Sequence, residues 1–127
     1  METALSSTGQ IIWRWLELLG LDAETFFADQ GVDQRLMQEP GARVPTATWD
    51  AIRAEAIRRV GNPCAGLKAS RCWHPSNIGA LGFAWLASDT LLDALGRLVR
   101  YSRLINSIVR FRIQEQPDTT ALVALIP

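Results

Sequence analysis

Few residues of this chain are of types that do chemistry. Cys64, Cys72 and His74 bring three soft metal ligands into one short span. A zinc site wants four such groups, usually as two close pairs. The spacing does not fit and no fourth ligand is at hand, so no metal site is expected. His74 is the only histidine and precedes Pro75. As a general base it would need a nucleophile and an orienting carboxylate. Neither stands at a recognisable spacing, and His74 is read as a loop or packing residue. Gly79-Ala80-Leu81-Gly82 is not a phosphate cradle, because no strand precedes it and no Lys or Ser/Thr follows in register. Close helix packing is its expected role. The chain is therefore not read as an enzyme, and nothing calls for a cofactor.

One constellation goes further. Ser102 stands in the middle of an apolar stripe formed by Leu91, Leu95, Leu98 and Ile105. Asn106 follows one turn later and Tyr101 borders the stripe. Buried polar groups need partners. Ser102 can bond back to the Leu98 carbonyl, and Asn106 can simply end the helix. Alternatively Ser102, Asn106 and Tyr101 face a cavity with Trp85 opposite and His74 at its mouth. An apolar pocket with a few convergent polar groups is the usual form of a small-molecule site.

The elements that must position these residues can be read along the chain. Ile11, Ile12, Trp15, Leu18 and Leu19 recur at helical spacing, and Gly20 suits a left-handed C-terminal position. Asp22 is placed to cap a second helix that runs to Gly31. Pro45 forces Val44 into an extended conformation, and Thr46 is placed to cap a helix ending at Gly61. Ile78 to Ala87 carries no charge, and every face of that helix is apolar or small. Such a helix must be covered on all sides, so it is expected at the centre of the domain. It is too short to span a membrane, which takes roughly 20 apolar residues. Thr90 with Asp93 resembles a capping box opening the helix Leu91–Ile105. The period then switches to two at Val109, Phe111 and Ile113, a half-buried strand. Gln116–Thr119 is a turn. Thr120–Ile126 is a second strand, apolar on both faces and expected to be more buried. The expected fold is α+β: a helical N-terminal layer around a buried central helix, then an antiparallel β-hairpin forming an incomplete sheet.

Composition narrows the class. The chain has 127 residues, which fits one domain, and 48% of them are hydrophobic, which fits a globular one. Its 13 basic and 13 acidic residues balance. Residues 1–63 are net acidic and residues 64–127 net basic by the same three charges, too mild an asymmetry for a nucleic-acid footprint. The first ten residues lack the pattern of a signal peptide, and two cysteines make no disulfide framework. Reduced, mostly buried thiols in cytoplasm are expected.

The ordered punctuation also carries a resemblance. Gly61-Asn62-Pro63 with Gly66-Leu67 is followed by Gly79, Gly82, Trp85, Ser88, Thr90-Leu91 and Ala94-Leu95, and then by Arg100-Tyr101-Ser102-Arg103-Leu104. Gly20-Leu21-Asp22 and Arg43-Val44-Pro45 fit upstream. The set, from about Ile11 to Leu125, resembles the N-terminal sensor domain in one branch of the AraC/XylS-type bacterial transcription regulators. The resemblance implies an effector-sensing and oligomerisation domain that binds an unidentified small molecule and alters transcription. It also implies a homo-oligomer that touches DNA only through a separate helix-turn-helix domain. No such motif is readable in residues 1–127, so the chain is expected to be the N-terminal part of a regulator, with Trp85, Tyr101, Ser102, Asn106 and His74 as its ligand residues. A helical interaction module without a ligand is the second reading, and a small intracellular enzyme a weaker third.

Overall fold

The computed structural model describes all of residues 1–127. Five α-helices carry the chain: α1 Gly9–Leu18, α2 Ala23–Asp29, α3 Thr46–Val60, α4 Ala80–Leu86 and α5 Leu91–Ile105. Short 3-10 turns join them, notably Gln34–Gln38, Ala65–Arg71 and Pro75–Ile78. Strand β1 (Thr3–Leu5) pairs antiparallel with β2 (Arg43–Pro45). Strands β3 (Arg110–Glu115) and β4 (Thr120–Leu125) form the antiparallel hairpin, with Arg110 opposite Leu125 and Glu115 opposite Thr120. The α+β layout with an incomplete sheet is the one read from the sequence.

The core lies in the first half of the chain. Ile12, Trp15 and Leu16 of α1 meet Phe26 and Phe27 of α2 and Trp49, Ile52 and Ala56 of α3. The Phe27 ring stands 5.0 Å from Trp13 and 5.6 Å from Trp49. Trp15 closes the far side by donating its indole N–H to the Ala65 carbonyl at 2.9 Å. Gly9 belongs to this packing. A Cβ there would stand 2.7 Å from Trp49 Cη2 and 2.8 Å from Met37 Sδ, so only glycine lets α1 approach so closely.

The expected central helix is not central. Gly79 takes φ 61°, ψ −140°, a conformation essentially reserved for glycine, so α4 starts only at Ala80 and makes two turns. It buries Leu81 and Gly82, while Phe83 is 65% exposed and Leu86 63% exposed. One side of the helix is covered and the other faces solvent. Gly82 shows why the covered side sits so close. A Cβ at this position would run into the Pro75 carbonyl and lie 3.1 Å from Pro75 Cα. Gly82 serves close packing, the role read for this stretch, whereas Gly79 supplies the backbone conformation that starts α4.

Other local readings change in detail. Thr46 is the first residue of α3, and its hydroxyl donates to the Glu2 carbonyl at 3.4 Å. The Asp22 carboxylate accepts from the Thr25 hydroxyl at 2.7 Å, which holds its pKa below the usual value. Thr90 caps α5 as expected, its Oγ1 accepting from Asp93 N at 3.1 Å. Strand β4 is exposed except for half-buried Val123. Its apolar residues alternate onto two faces, and no second layer covers either. Cys72 is buried but Cys64 is exposed, because Asn62 Oδ1 pins the Cys64 N–H in an open turn at 2.9 Å. No helix is long and apolar enough to cross a membrane.

The outer face of α3 yields a pH prediction. Hydrogen bonds from Arg58 and then Arg59 hold the Glu55 pKa down to about 2, against an ordinary 4.5. The stability this adds is fully present above pH 4.5 and is lost as the pH falls through about 2. Acid titrations of chemical unfolding for the parent and Glu55→Gln should converge across that window. Parallel curves would show that the ion pairs form no better in the folded chain.

Candidate functional site

The largest hollow is a groove of about 720 Å³ where the N-terminal segment meets the turn before α4 and the end of α5. Leu5, Met37, Pro40, Ile78, Leu81 and Leu104 supply its apolar surface. Its polar groups are Ser7, Gln10, Gln38, Glu39, Arg43 and Ser76. Several are held rigid. Asn77, fully buried, donates from Nδ2 to Gln10 Oε1 at 2.9 Å, and Gln10 Nε2 donates to the Met37 carbonyl at 3.2 Å. Ser7 donates to the Asn77 carbonyl at 2.8 Å. The groove floor is therefore a connected network joining three segments distant in sequence. Buried networks of this kind fix geometry when every member is satisfied.

Arg43 forms one end. Its guanidinium donates to Thr3 Oγ1 at 2.8 Å and to the Leu104 carbonyl at 2.8 Å. A cation on the last carbonyls of α5 complements the negative end of the helix dipole. Arg43 thereby ties α5 to β1, which also takes a bridge between Ala4 and Asn106.

A second hollow of about 380 Å³ lies between α1, α3 and the segment following α5. Ile11, Ile12, Trp49, Ile105, Ile108 and Val109 form most of it. Asn106 and the rim residues Asp50 and Arg53 are its main polar members.

The five residues read from the sequence are not gathered in either hollow. Asn106 alone lines the second one, and its Oδ1 accepts from Ile108 N at 2.7 Å. His74 is exposed and caps the Pro75–Ile78 turn. Its Nδ1 stands 2.8 Å from Ser76 Oγ, so it touches the groove rim through Ser76. Ser102 is buried at 4% exposure and its hydroxyl does not bond back to Leu98. Trp85 is half-buried, and Tyr101 is 42% exposed. The groove does lie between the turn after His74 and α5, but Ile78, Gly79, Leu81 and Leu104 line it instead. The reason is the short α4, which sets Trp85 one turn beyond the close contact at Gly82.

Sequence reasoning missed the N-terminal contribution. Leu5, Ser7 and Gln10 reach the groove because Met1–Gln10 holds a strand and a 3-10 turn. The one available signal was the β-branched and apolar run Thr3-Ala4-Leu5 opposite Arg43-Val44-Pro45, too short to stand out.

No curated protein matches the chain. A family model for the arabinose-binding domain of AraC transcription regulators, N-terminal, matches residues 20–127. That span covers most of the chain, including α2 to α5, the hairpin and most of the groove. The chain belongs to the family of arabinose-binding N-terminal domains of AraC transcription regulators.

Proposed function

We propose that residues 1–127 act as one effector-sensing domain and that a small molecule binds in the groove between the N-terminal segment, the turn before α4 and the end of α5. The family match carries this reading, and the groove supports its location. An apolar wall with a few fixed polar groups suits a molecule with an apolar body and hydrogen-bonding substituents. Coupling to transcription requires the effector to bind two states with different affinity. His74 enters through Ser76, whereas Trp85, Tyr101 and Ser102 carry no assigned contact. The domain is read as cytoplasmic and non-enzymatic, with DNA contacted by a different domain.

Thermal shift of the chain against a metabolite panel tests the reading. A ligand present at about 100 times its Kd stabilises the fold by about 2.7 kcal/mol. Leu104→Glu places a charge on the groove wall and should abolish that shift without lowering the parent Tm. An undiminished shift in Leu104→Glu would move the effector elsewhere. In mobility-shift assays residues 1–127 alone should give no sequence-specific complex, because the net charge is zero. A tight specific complex would overturn this division of labour.

The exposed apolar surface favours an oligomerisation role as well. Phe83 and Leu86 on α4 and Leu91 at the start of α5 are each more than 60% exposed, and exposed apolar surface of this kind is what a contact with a second copy would cover. Phe83→Asp with Leu91→Asp should lower the sedimenting mass. A parent chain that is monomeric at high concentration would remove this role.

A further inference from the structure

Helix α5 carries a second seam on the side away from the core. Ala94 and Ser102 face inward and are buried. On the opposite side Leu92, Gly96, Val99 and Arg103 recur at steps of four, three and four residues, the spacing of a coiled-coil seam. Leu92 is 47% exposed, and Gly96 is exposed as well. A Cβ at Gly96 would meet nothing within 4 Å. The fold of the single chain therefore does not call for glycine here, although glycine weakens a helix interior. A position without a side chain in the middle of an exposed seam lets a second helix approach closely.

The charges beside this seam are unused within the chain. Asp89, just before the helix cap, and Asp93 stand at its N-terminal end, and Arg100 and Arg103 at its C-terminal end, all four exposed. None of them forms an ion pair, since the carboxylates that do are those of Asp33, Asp50 and Glu55. Arg97 turns aside to the end of α4, where it donates to the Ala84 carbonyl and the Ser88 hydroxyl. The face thus has no net charge but opposite signs at its two ends. Two copies of it match only when antiparallel, because parallel copies would set like charge on like. The register follows from the spacing. Asp93 opposite Arg100 centres such a pair between Gly96 and Arg97, and Asp89 opposite Arg103 centres it on Gly96. Both put the crossing at the position without a side chain. We infer that α5 packs antiparallel on α5 of a second copy across a twofold axis at Gly96, with Asp93 facing the partner's Arg100 and Asp89 facing the partner's Arg103. The inference rests on the oligomerisation role proposed above and names the surface that carries it. Such a contact uses the same patch on both copies and closes as a dimer. Leu92 and Val99 supply its apolar seam, and the flanking charges set its direction.

Charge reversal followed by mixing tests the register, read by sedimentation equilibrium of the chain. In a symmetric dimer each reversal acts twice. Asp93→Arg alone opposes cations across the axis, and Arg100→Asp alone opposes carboxylates. Each variant should dimerise about tenfold more weakly than the parent, or worse. An equimolar mixture of the two variants brings opposite charges together at both contacts, so it should recover the parent's dimer mass. Recovery also shows that both variants are folded. Gly96→Leu favours the helix but fills the crossing, and it should weaken dimerisation by a similar factor. A parent chain that is monomeric at high concentration would overturn the oligomerisation role and this inference together. Three results with a dimeric parent would overturn the inference alone and leave the role to the α4 surface: single reversals that associate unchanged, a mixture that gains nothing over its components, or a Gly96→Leu variant that dimerises like the parent.

Discussion

Gly82→Ala should cost the fold about 3 kcal/mol or more, at the upper end for overpacking. The new methyl would run into the Pro75 carbonyl and stand 3.1 Å from Pro75 Cα. All of these atoms are backbone, so no side chain can rotate away. Relief requires α4 to lift from the Pro75–Ile78 turn, and that turn is pinned by fully buried Asn77 through Gln10. The groove opens with it, since Ser76, Ile78 and Leu81 are among its walls. Gly96→Ala supplies the internal control. Gly96 lies within α5, and a Cβ there would meet nothing within 4 Å. Alanine in a helix interior is favoured over glycine by about 0.5–1 kcal/mol, so this substitution should stabilise. Urea unfolding of both variants reads the two signs directly. If Gly82→Ala unfolds within about 0.5 kcal/mol of the parent, α4 does not sit on the turn as described.

Periodicity located the long helices and strand β3 because each has one more covered face and clear ends. Helix α5 begins at the Thr90 cap, and Gly61 ends α3 at φ 70°. These are local effects, and local sequence encodes them. Ile78–Ala87 misled for an equally physical reason. An uncharged helix must be covered, but hydropathy cannot say by what. In this chain the cover stops after Leu81 and Gly82, leaving Phe83 and Leu86 in solvent. The same limit applies to β4, whose apolar faces have no layer above them.

The placement of two of the residues singled out was legible. Asn106 was singled out as a polar residue ending an apolar stripe, and it does line a hollow beside Trp49. Ser102 was singled out correctly as buried. Their supposed common cavity failed because Trp85 stands on a helix only two turns long. The groove could not be read at all from one segment. It needs Leu5, Arg43, Ile78 and Leu104 together, four positions joined only by tertiary contacts such as Arg43 on the α5 carbonyls.

The position of the core gives the second large effect. Phe27→Ala should destabilise by about 3–5 kcal/mol, the range for emptying a buried aromatic site. Phe27 is 1% exposed and stands between Trp13 and Trp49 at 5.0 and 5.6 Å. Neither tryptophan can fill the gap readily. Trp49 is braced against Gly9 and Met37, while Trp13 donates its indole N–H to Glu17 at 3.0 Å. Typical domain stability is about 5–15 kcal/mol, so this one change removes a large share of it. Trp85→Ala deletes a larger side chain, yet should cost less than about 2 kcal/mol, because a half-buried side chain regains water in place of a cavity. The pair separates two pictures of the fold. A uniform apolar stretch at Ile78–Ala87 as the centre would make Trp85 the costlier loss. A core of α1, α2 and α3 makes Phe27 the costlier one. Denaturation midpoints with equal slopes decide between them, and Trp85→Ala falling below Phe27→Ala would place the centre of the domain at α4 after all.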